Sequence, residues 1–189
     1  MHFKFCKISE LQDEKMNLAY ELLSAEQREY IDRINPLKRN QSLAVRTLLF
    51  NMLEEFYPYI SLSKLSFKES GVPFLCGESL YVSLTHSGDL VGCAIGASPI
   101  GIDIQTKRDI SDKLIKRVCT SDEEEYMNSY GKDCFFIFWA LKECFVKANG
   151  CSFSQASKIS FVKDKKICSD FGKIDFGEKN NAVWAVLSK

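Results

Sequence analysis

The chain has 189 residues, of which 46% are hydrophobic and 26% are charged, so it has the composition of a globular protein. That length fits one medium domain or two small domains that share a core. Lysine plus arginine and aspartate plus glutamate each total 25, which gives a formal net charge of zero. Because nucleic acids and anionic membranes select basic proteins, this balance argues against both as partners.

Targeting signals and paired cysteines are both missing from the sequence. No apolar run approaches the roughly 20 residues of a membrane span, and the N-terminus lacks the apolar core of a signal peptide. Eight cysteines are scattered without a C-x-x-C pair, which disfavours zinc and redox motifs. We therefore predict reduced cysteines among the core residues and a cytoplasmic location.

The N-terminal part of the chain predicts a strand followed by three helices. Ser24 and Gln27 have the spacing of a capping box, and Asn35-Pro36 interrupts the chain before a long apolar helix. The pattern predicts a strand over 3–8 and helices over 10–23, 25–34 and 37–56. Ser9 could cap the first of these helices.

The middle of the chain changes from helical to strand-like periodicity. Short apolar runs over 65–67, 80–84 and 90–95 are separated by glycine-containing turns, as in antiparallel strands. The next run alternates isoleucine with small or polar residues over 100–105, which predicts a strand with one buried face.

The C-terminal part returns to helices and then to short strands. Thr120 and Glu123 are another capping-box pair, Asn149-Gly150 is predicted to end a helix, and Asn180-Asn181 is predicted to form a turn. These alternating blocks predict an α+β fold. The predicted elements are helices over 111–118, 121–130 and 133–148 and strands over 159–162, 174–176 and 183–187.

One face of the strand over 100–105 carries groups that could bind a ligand. A period of two puts Gly101, Asp103 and Gln105 on the same face, opposite the isoleucines. Two oxygen-bearing side chains two residues apart can converge on one point, and Gly101 leaves room beside them. This face is therefore a candidate site.

A stripe of the apolar helix over 133–148 carries a second set of such groups. Trp139, Glu143 and Lys147 share this stripe because they are four residues apart. Buried carboxylates need partners, and a hard cation such as Mg²⁺ shared by Asp103 and Glu143 would serve. Salt bridges are the alternative, from Glu143 to Lys147 and from Asp103 to another lysine, and the spacing leaves both interpretations open.

Two basic residues of the N-terminal half are candidates for anion binding. His86 lies in the hydroxyl-rich segment 83–88 at the end of a strand, which could bind an anion or merely satisfy its own turn. Arg46 interrupts the apolar face of the long helix, and a partly buried arginine usually holds a carboxylate or a phosphate.

Four segments along the chain correspond, in order and interval, to the motifs of one enzyme family. Gly101-Ile102-Asp103-Ile104-Gln105 is similar to G-[IV]-D-[IV]-E, and the segment from Trp139 to Lys147 is similar to W-x-x-K-E-x-x-x-K. Upstream, the segment 83–88 (Ser-Leu-Thr-His-Ser-Gly) is similar to N-x-S-H-S-G, and Arg46-Thr47-Leu48-Leu49 is similar to R-x-L-L. Over roughly residues 24–150, the chain therefore resembles the surfactin-synthetase-activating type of 4′-phosphopantetheinyl transferase.

The resemblance implies a two-lobed, pseudo-twofold α+β fold with coenzyme A and Mg²⁺ in the cleft between the lobes. The N-terminal lobe, 1–98, would contact the nucleotide, and the C-terminal lobe, 99–189, would carry the metal-binding and catalytic motifs. Such enzymes transfer 4′-phosphopantetheine from coenzyme A to a serine of an apo acyl or peptidyl carrier protein and release adenosine 3′,5′-bisphosphate. A monomer is expected, and the carrier could serve fatty-acid, polyketide or non-ribosomal peptide synthesis.

The resemblance also implies a role for each matching residue. Asp103, Glu143 and Gln105 would bind Mg²⁺. Glu143 would also accept the serine proton, and Lys147 would neutralise phosphate charge beside the catalytic Asp103. Glu123 resembles another acid that recurs near the site. The implied coenzyme A contacts are Arg46, Thr85 and His86 at the phosphates, Gly71 and Pro73 beside the adenine, and Lys142 as a weaker phosphate contact.

The sequence departs from the family pattern at three positions. Gln105 stands where many members have a third carboxylate, which removes one negative charge and predicts weaker metal binding. Val72 and Gln27 occupy positions that are often basic, so fewer cations remain for coenzyme A. The alternative function is a non-catalytic carrier-binding homologue with a weakened metal site. The residues left to bind the coenzyme A phosphates are Arg46 and His86, with Arg28 and Lys38 as substitutes.

Overall fold

The structure is a computed structural model that describes all residues from Met1 to Lys189. The chain divides into two compact units, Met1–Ala97 and Ser98–Lys189. Each unit contains helices and an antiparallel sheet, which confirms the predicted α+β class. None of the helices is both long and apolar enough to cross a membrane.

The N-terminal unit is built around a five-stranded antiparallel sheet in the order β1-β5-β4-β3-β2. Two short 3-10 helices, Ile8–Glu10 and Leu62–Lys64, precede α1 and β2. The elements are β1 (His2–Lys7), α1 (Asp13–Leu22), α2 (Ala25–Arg33), α3 (Pro36–Phe56), β2 (Leu65–Phe67), β3 (Pro73–Leu75), β4 (Tyr81–Ser87) and β5 (Leu90–Gly96).

The long helix α3 supplies much of the core of this unit. Asn35 caps its N-terminus by accepting a hydrogen bond from the backbone N–H of Lys38 at 3.0 Å, and Pro36 fits the first helical turn. Leu49 and Met52 are fully buried in the cluster that also contains the sheet residue Val91. Burying each such side chain contributes roughly 1.5–3 kcal/mol, so packing rather than local propensity holds α3 in place.

Three local predictions in the N-terminal unit are wrong or incomplete. The first helix begins at Asp13 rather than at residue 10, because Ser9 lies in the 3-10 helix and Gln12 is the N-cap. Ser24 caps α2, but the side chain of Gln27 accepts hydrogen bonds from Arg46. The strand β3 was not predicted, because it has three residues and begins at a proline.

The C-terminal unit contains a three-stranded antiparallel sheet in the order β6-β10-β9 and a separate two-stranded hairpin, β7-β8. Its helix α6 packs on β6 and β10. The elements are β6 (Ile100–Thr106), α4 (Asp112–Val118), α5 (Ser121–Tyr130), α6 (Cys134–Asn149), α7 (Phe153–Ala156), β7 (Val162–Lys163), β8 (Lys166–Ile167), β9 (Lys173–Lys179) and β10 (Ala182–Ser188).

The strand β6 is buried on both faces over its first five residues, so the prediction of one buried face is wrong. The cause is the close approach of α6 at Gly101. A Cβ atom added to Gly101 would lie 1.9 Å from the backbone oxygen of Cys144. Gly101 therefore makes room for α6 and not for a ligand.

In the C-terminal unit, the observed turns agree with the sequence-based predictions better than the short helices and strands do. Gly150 ends α6 in the left-handed conformation, with φ of 63°, as predicted. Asn180 and Asn181 form the β9-β10 turn with φ of 52° and 57°, also as predicted. The one-turn helix α7 was not predicted, and the strand expected over 159–162 begins only at Val162.

All eight cysteines are free thiols, but only three of them lie in the core. Cys93, Cys119 and Cys144 are buried, and burial raises the pKa of the Cys119 thiol to about 12. Cys76 is exposed and the remaining four are half-buried, so the prediction that the cysteines are mostly core residues is too broad.

Candidate active site

The strand β6 and the helix α6 bring a carboxylate and an ammonium group together. The Nζ atom of Lys147 lies 2.7 Å from Oδ1 of Asp103 and 2.8 Å from the backbone oxygen of Ile102. Asp103 is 5% exposed, whereas the Lys147 side chain is 25% exposed. The close packing at Gly101 positions this pair, because it sets how near α6 lies to β6.

Three further side chains complete this group, which we call the β6–α6 site (Asp103, Gln105, Trp139, Glu143 and Lys147). The amide nitrogen of Gln105 donates to Oδ2 of Asp103 at 2.7 Å. The indole N–H of Trp139 donates to Oε1 of Glu143 at 3.4 Å, one turn away along α6. The stripe predicted from the spacing of four therefore contains real contacts.

The half-buried Glu143 is near a second negative charge. Burial raises the pKa of the Glu143 carboxyl above its ordinary value, and the charge of Asp103 raises it further. Lys147 and the hydrogen bond from Trp139 act in the opposite direction. Asp103 and Glu143 are therefore close enough to repel each other, and a cation between them would remove that repulsion.

The donor set of the β6–α6 site fits a hard divalent cation. No group of three or more His, Cys, Asp or Glu side chains in the chain could hold a metal by itself. Asp103 and Glu143 supply two carboxylates, and Gln105 lies beside Asp103 with an amide oxygen that could replace a third. Two carboxylates plus other oxygen ligands are typical of Mg²⁺ sites.

Lys142 and Glu123 form an ion pair in the core, so neither is available to a ligand in this structure. The Nζ atom of Lys142 lies 2.8 Å from Oε2 of Glu123, and both side chains are 0% exposed. Lys142 also donates to the backbone oxygens of Ile159 at 2.8 Å and Ser157 at 3.4 Å. The sequence-based assignment of Lys142 to a phosphate contact is therefore corrected.

Glu123, like Lys142, makes its contacts within the protein core. Its Oε2 accepts the backbone N–H of Thr120 at 2.9 Å, and its Oε1 accepts that of Phe161 at 3.0 Å. These bonds join the start of α5 to the segment before β7, while the ion pair joins both to α6. Glu123 therefore stabilises the scaffold of the C-terminal unit and does not face a substrate.

A cavity of about 600 Å³ lies in the N-terminal unit. The sequence predicts five coenzyme A contacts in this unit, and all five residues line the cavity. We call it the Arg46 cavity. Its lining includes the predicted Arg46, Gly71, Pro73, Thr85 and His86, together with Glu26, Gln27, Tyr30, Ser42, Val45, Phe67, Lys68, Glu69 and Leu84.

Arg46 is 4% exposed, although it is a cation. Its Nη2 and Nε atoms donate to Oε1 of Gln27 at 2.8 and 3.3 Å, and Nη1 donates to the backbone oxygen of Ser42 at 2.9 Å and to its hydroxyl. The guanidinium carbon lies 4.9 Å from the ring centre of Phe67 and 5.7 Å from that of Tyr30. Burial lowers the pKa of Arg46 to about 10, so the side chain stays charged at neutral pH.

Cations that the sequence offered as substitutes do not line this cavity. Arg28 donates to the backbone oxygens of Glu21 and Leu23 and so caps the end of α1. Lys38 is not among the lining residues, whereas Lys68 is. Lys68 begins the turn that Gly71 closes, with the N–H of Gly71 bonded to the oxygen of Lys68 at 2.8 Å.

Gly71 is required by the backbone of this turn. Its φ is +79°, and a Cβ atom built on it would meet no atom within 4 Å. A side chain would therefore be disfavoured by conformation and not by crowding.

Sequence reasoning missed three residues near these sites. The sequence marks Gln27 only as a departure from a basic residue, although it binds Arg46, and it assigns no role to Lys68, which lines the Arg46 cavity. The third residue is Arg108, whose guanidinium carbon lies 5.6 Å from the ring centre of Trp139. A signal existed only for Lys68, which stands at the start of a glycine turn. The other two contacts join residues that are far apart in sequence.

Comparison with known proteins gives one consistent result. The model of the 4′-phosphopantetheinyl transferase superfamily matches residues 99–186, which is nearly the whole C-terminal unit. Over 74 residues the chain is 35% identical to 4′-phosphopantetheinyl transferase Sfp of Bacillus subtilis, a stretch that covers 37% of this chain and 33% of that protein. The chain thus spans about a third of the length of this relative.

Two other relatives match longer stretches. Over 169 residues the chain is 29% identical to 4′-phosphopantetheinyl transferase HetI of a Nostoc species, which covers 82% of this chain and 68% of that protein. Over 119 residues it is 26% identical to a putative 4′-phosphopantetheinyl transferase of Haemophilus influenzae, covering 58% and 51%. The family match over the C-terminal unit, these relatives and the four ordered motifs all indicate that the chain is similar to 4′-phosphopantetheinyl transferases.

Proposed function

We propose that the chain transfers 4′-phosphopantetheine from coenzyme A to a serine of an apo acyl or peptidyl carrier protein. The observation that carries this proposal is the β6–α6 site, where Lys147 lies 2.7 Å from Asp103 and Glu143, one turn before Lys147 on α6, is influenced by the charge of Asp103. This site falls inside the segment that matches the family. Phosphoryl transfer depends mainly on charge neutralisation and positioning, and this group of side chains offers both.

The proposed reaction is a displacement at phosphorus. The serine Oγ of the carrier forms a bond to the phosphorus that bears pantetheine, and the bond from that phosphorus to the leaving phosphate oxygen breaks. The products are the phosphopantetheinyl serine and adenosine 3′,5′-bisphosphate. Glu143 accepts the proton that the serine hydroxyl loses.

The same residues would hold the metal. We assign Asp103 and Glu143 as carboxylate ligands and Gln105 as a third oxygen ligand, after its amide has turned to present oxygen in place of nitrogen. Mg²⁺ bound there would neutralise charge on the phosphate oxygens. Lys147 uses two ammonium N–H groups for Asp103 and Ile102, which leaves a third for a phosphate oxygen.

For the Arg46 cavity we propose a role in binding the phosphates of the coenzyme A nucleotide. Arg46 contributes a charge with neutral partners, and Thr85 and His86 contribute polar groups in the same wall. Gly71 and Pro73 also line the cavity, and the adenine would pack beside them. Lys142 is not part of this proposal, because it is buried and paired with Glu123.

Intact-mass spectrometry of an apo carrier protein tests the reaction. The carrier is incubated with the chain and coenzyme A, with and without Mg²⁺, and the expected result is a gain of one phosphopantetheinyl group only with Mg²⁺. Carriers from fatty-acid, polyketide and peptide synthesis are each tested, because the docking preference is open. No gain with any carrier would contradict the proposal.

The alternative function gives a different result in the same experiment. A non-catalytic carrier-binding homologue would bind carrier without changing its mass and would need no Mg²⁺.

A monomeric state and a cytoplasmic location stay predictions from the sequence. Sedimentation of the purified chain tests whether it is a monomer.

A further inference from the structure

The buried charge of Arg46 has no ionic counterpart within the chain. Four of its five guanidinium N–H groups are used, and the acceptors are the Gln27 carbonyl and two oxygens of Ser42. No carboxylate forms an ion pair with Arg46, although Glu26 and Glu69 also line the cavity. Since a buried charge without a counter-ion costs stability, this arrangement favours any anion that enters the Arg46 cavity.

Gln27 fixes the direction of this guanidinium. Its Oε1 accepts from both Nη2 and Nε of Arg46, which leaves one Nη2 hydrogen unused in a residue that lines the cavity. Gln27 is itself 6% exposed, and its backbone N–H donates to the cap residue Ser24 at 3.3 Å. The start of α2 therefore holds Gln27, and Gln27 holds Arg46.

The chemistry of the amide decides what this contact does. An amide carbonyl accepts two guanidinium hydrogen bonds without adding a negative charge. A carboxylate at the same position would hold Arg46 equally well but would form an ion pair with it, so the anion in the cavity would meet a neutralised group.

We propose that Gln27 is a positioning residue that orients Arg46 toward the phosphates of coenzyme A and preserves its charge for them. This inference rests on the proposed function of the Arg46 cavity. It gives a specific role to a residue that stands where the family often has a basic side chain. Because Gln27 leaves the charge of Arg46 intact, Arg46 compensates in part for the phosphate binding that a second cation would provide.

Two substitutions of Gln27 in the full chain test this role. Gln27→Glu keeps the acceptor but adds a charge, and Gln27→Met removes the acceptor at similar size. The probe is adenosine 3′,5′-bisphosphate, whose affinity is measured by calorimetry without carrier or metal, and unfolding in urea is measured in parallel. Gln12→Glu is the matched control, because Gln12 is an exposed residue of the same unit.

The two measurements should move in opposite directions for Gln27→Glu. We expect bisphosphate affinity to fall about tenfold or more, because the new carboxylate neutralises the charge of Arg46 that the anion would otherwise meet, while resistance to urea rises with the new ion pair. Gln27→Met should also weaken binding but should not gain stability, and Gln12→Glu should leave bisphosphate affinity unchanged. In the transfer assay, the KM for coenzyme A should rise in Gln27→Glu while kcat is retained.

Each outcome decides for or against the inference. Unchanged bisphosphate affinity in Gln27→Glu, or equal losses of affinity and stability, would overturn it, since a purely structural residue behaves in that way. Absence of bisphosphate binding by the unsubstituted chain would also overturn it. If the chain binds bisphosphate with the expected dependence on Gln27 but modifies no carrier, the proposed transfer fails and the positioning role stands.

Discussion

The two units each bury one cation, and the partners of these cations are opposite in character. In the C-terminal unit, Lys142 is paired with the carboxylate of Glu123, and two backbone oxygens take its other hydrogens. In the N-terminal unit, Arg46 has only neutral acceptors and lines a cavity of about 600 Å³. A fully paired buried charge stabilises a scaffold, whereas a buried charge with neutral partners remains available to an anion.

This difference also corrects a motif-based assignment. Lys142 and Lys147 both lie in the segment that resembles W-x-x-K-E-x-x-x-K, and sequence alone gives both to phosphate. They point to different sides of α6: Lys142 meets Glu123 in the core, and Lys147 meets Asp103 at 25% side-chain exposure. The five-residue offset within one helix separates the structural lysine from the candidate catalytic one.

Removing the paired cation should produce the largest loss of stability. Lys142→Met leaves the carboxylate of Glu123 buried without its counter-ion, and we expect a loss of about 3–5 kcal/mol in the free energy of unfolding in urea. The control is Lys107→Met, which breaks pairs with the exposed Asp133 and Glu178 and should cost at most about 1 kcal/mol. Similar losses in the two variants would remove the basis for calling the Glu123–Lys142 pair structural.

The β6–α6 site should respond in activity more than in stability. Asp103→Ala removes a proposed metal ligand, and we expect transfer to fall by about a thousandfold or more while the circular dichroism spectrum is kept. Asp175→Ala, on the exposed face of β9, is the control and should retain transfer. Turnover close to that of the unsubstituted chain in Asp103→Ala would rule out the metal assignment.

Loss of Arg46, whose partners are neutral, should reduce anion binding and not stability, in contrast to loss of Lys142. Arg46→Met should weaken the binding of adenosine 3′,5′-bisphosphate by about 10- to 100-fold, because a charge-assisted contact is lost. Its free energy of unfolding should stay unchanged or rise, because an uncompensated buried charge is removed. Calorimetry and urea unfolding measure the two effects, and Arg33→Met, at an exposed arginine of α2, is the control. A stability loss as large as that of Lys142→Met would contradict the comparison.

The smallest expected effect concerns the departure at Gln105. Gln105→Glu places a third carboxylate beside Asp103, so the Mg²⁺ concentration for half-maximal transfer should fall a few-fold. In the absence of Mg²⁺ the two adjacent carboxylates repel each other, and the variant should unfold at a lower urea concentration. An unchanged Mg²⁺ titration would show that the side chain at this position does not contact the metal.

Elements with strong local signals were predicted well. Asn35-Pro36 starts α3, Gly150 ends α6 and Asn180-Asn181 turns the last hairpin, since capping and turn preferences depend on neighbouring residues. Short elements are missed for other reasons: β3 has three residues and begins at a proline, and α7 is a single turn even though Ser152 and Gln155 form a capping box at its start.

The candidate sites also combine features that local sequence predicts with contacts that only the tertiary structure shows. The spacing of Trp139, Glu143 and Lys147 was enough to place them on one stripe of α6, because the helical period is a local property. That Asp103 would meet a lysine was one of two open interpretations, and only the approach of α6 at Gly101 identifies Lys147 as that lysine.

The sequence by itself determined the α+β class, the main helices and the ordered motifs of the family, because these depend on period, capping and residue identity within short windows. Only the tertiary structure decided the partner of each buried charge. Gln27 meets Arg46 across 19 residues and Glu123 meets Lys142 across two helices, and such long-range pairs leave no trace in local periodicity. The role of a buried cation depends on that partner, since a carboxylate neutralises its charge and an amide carbonyl does not.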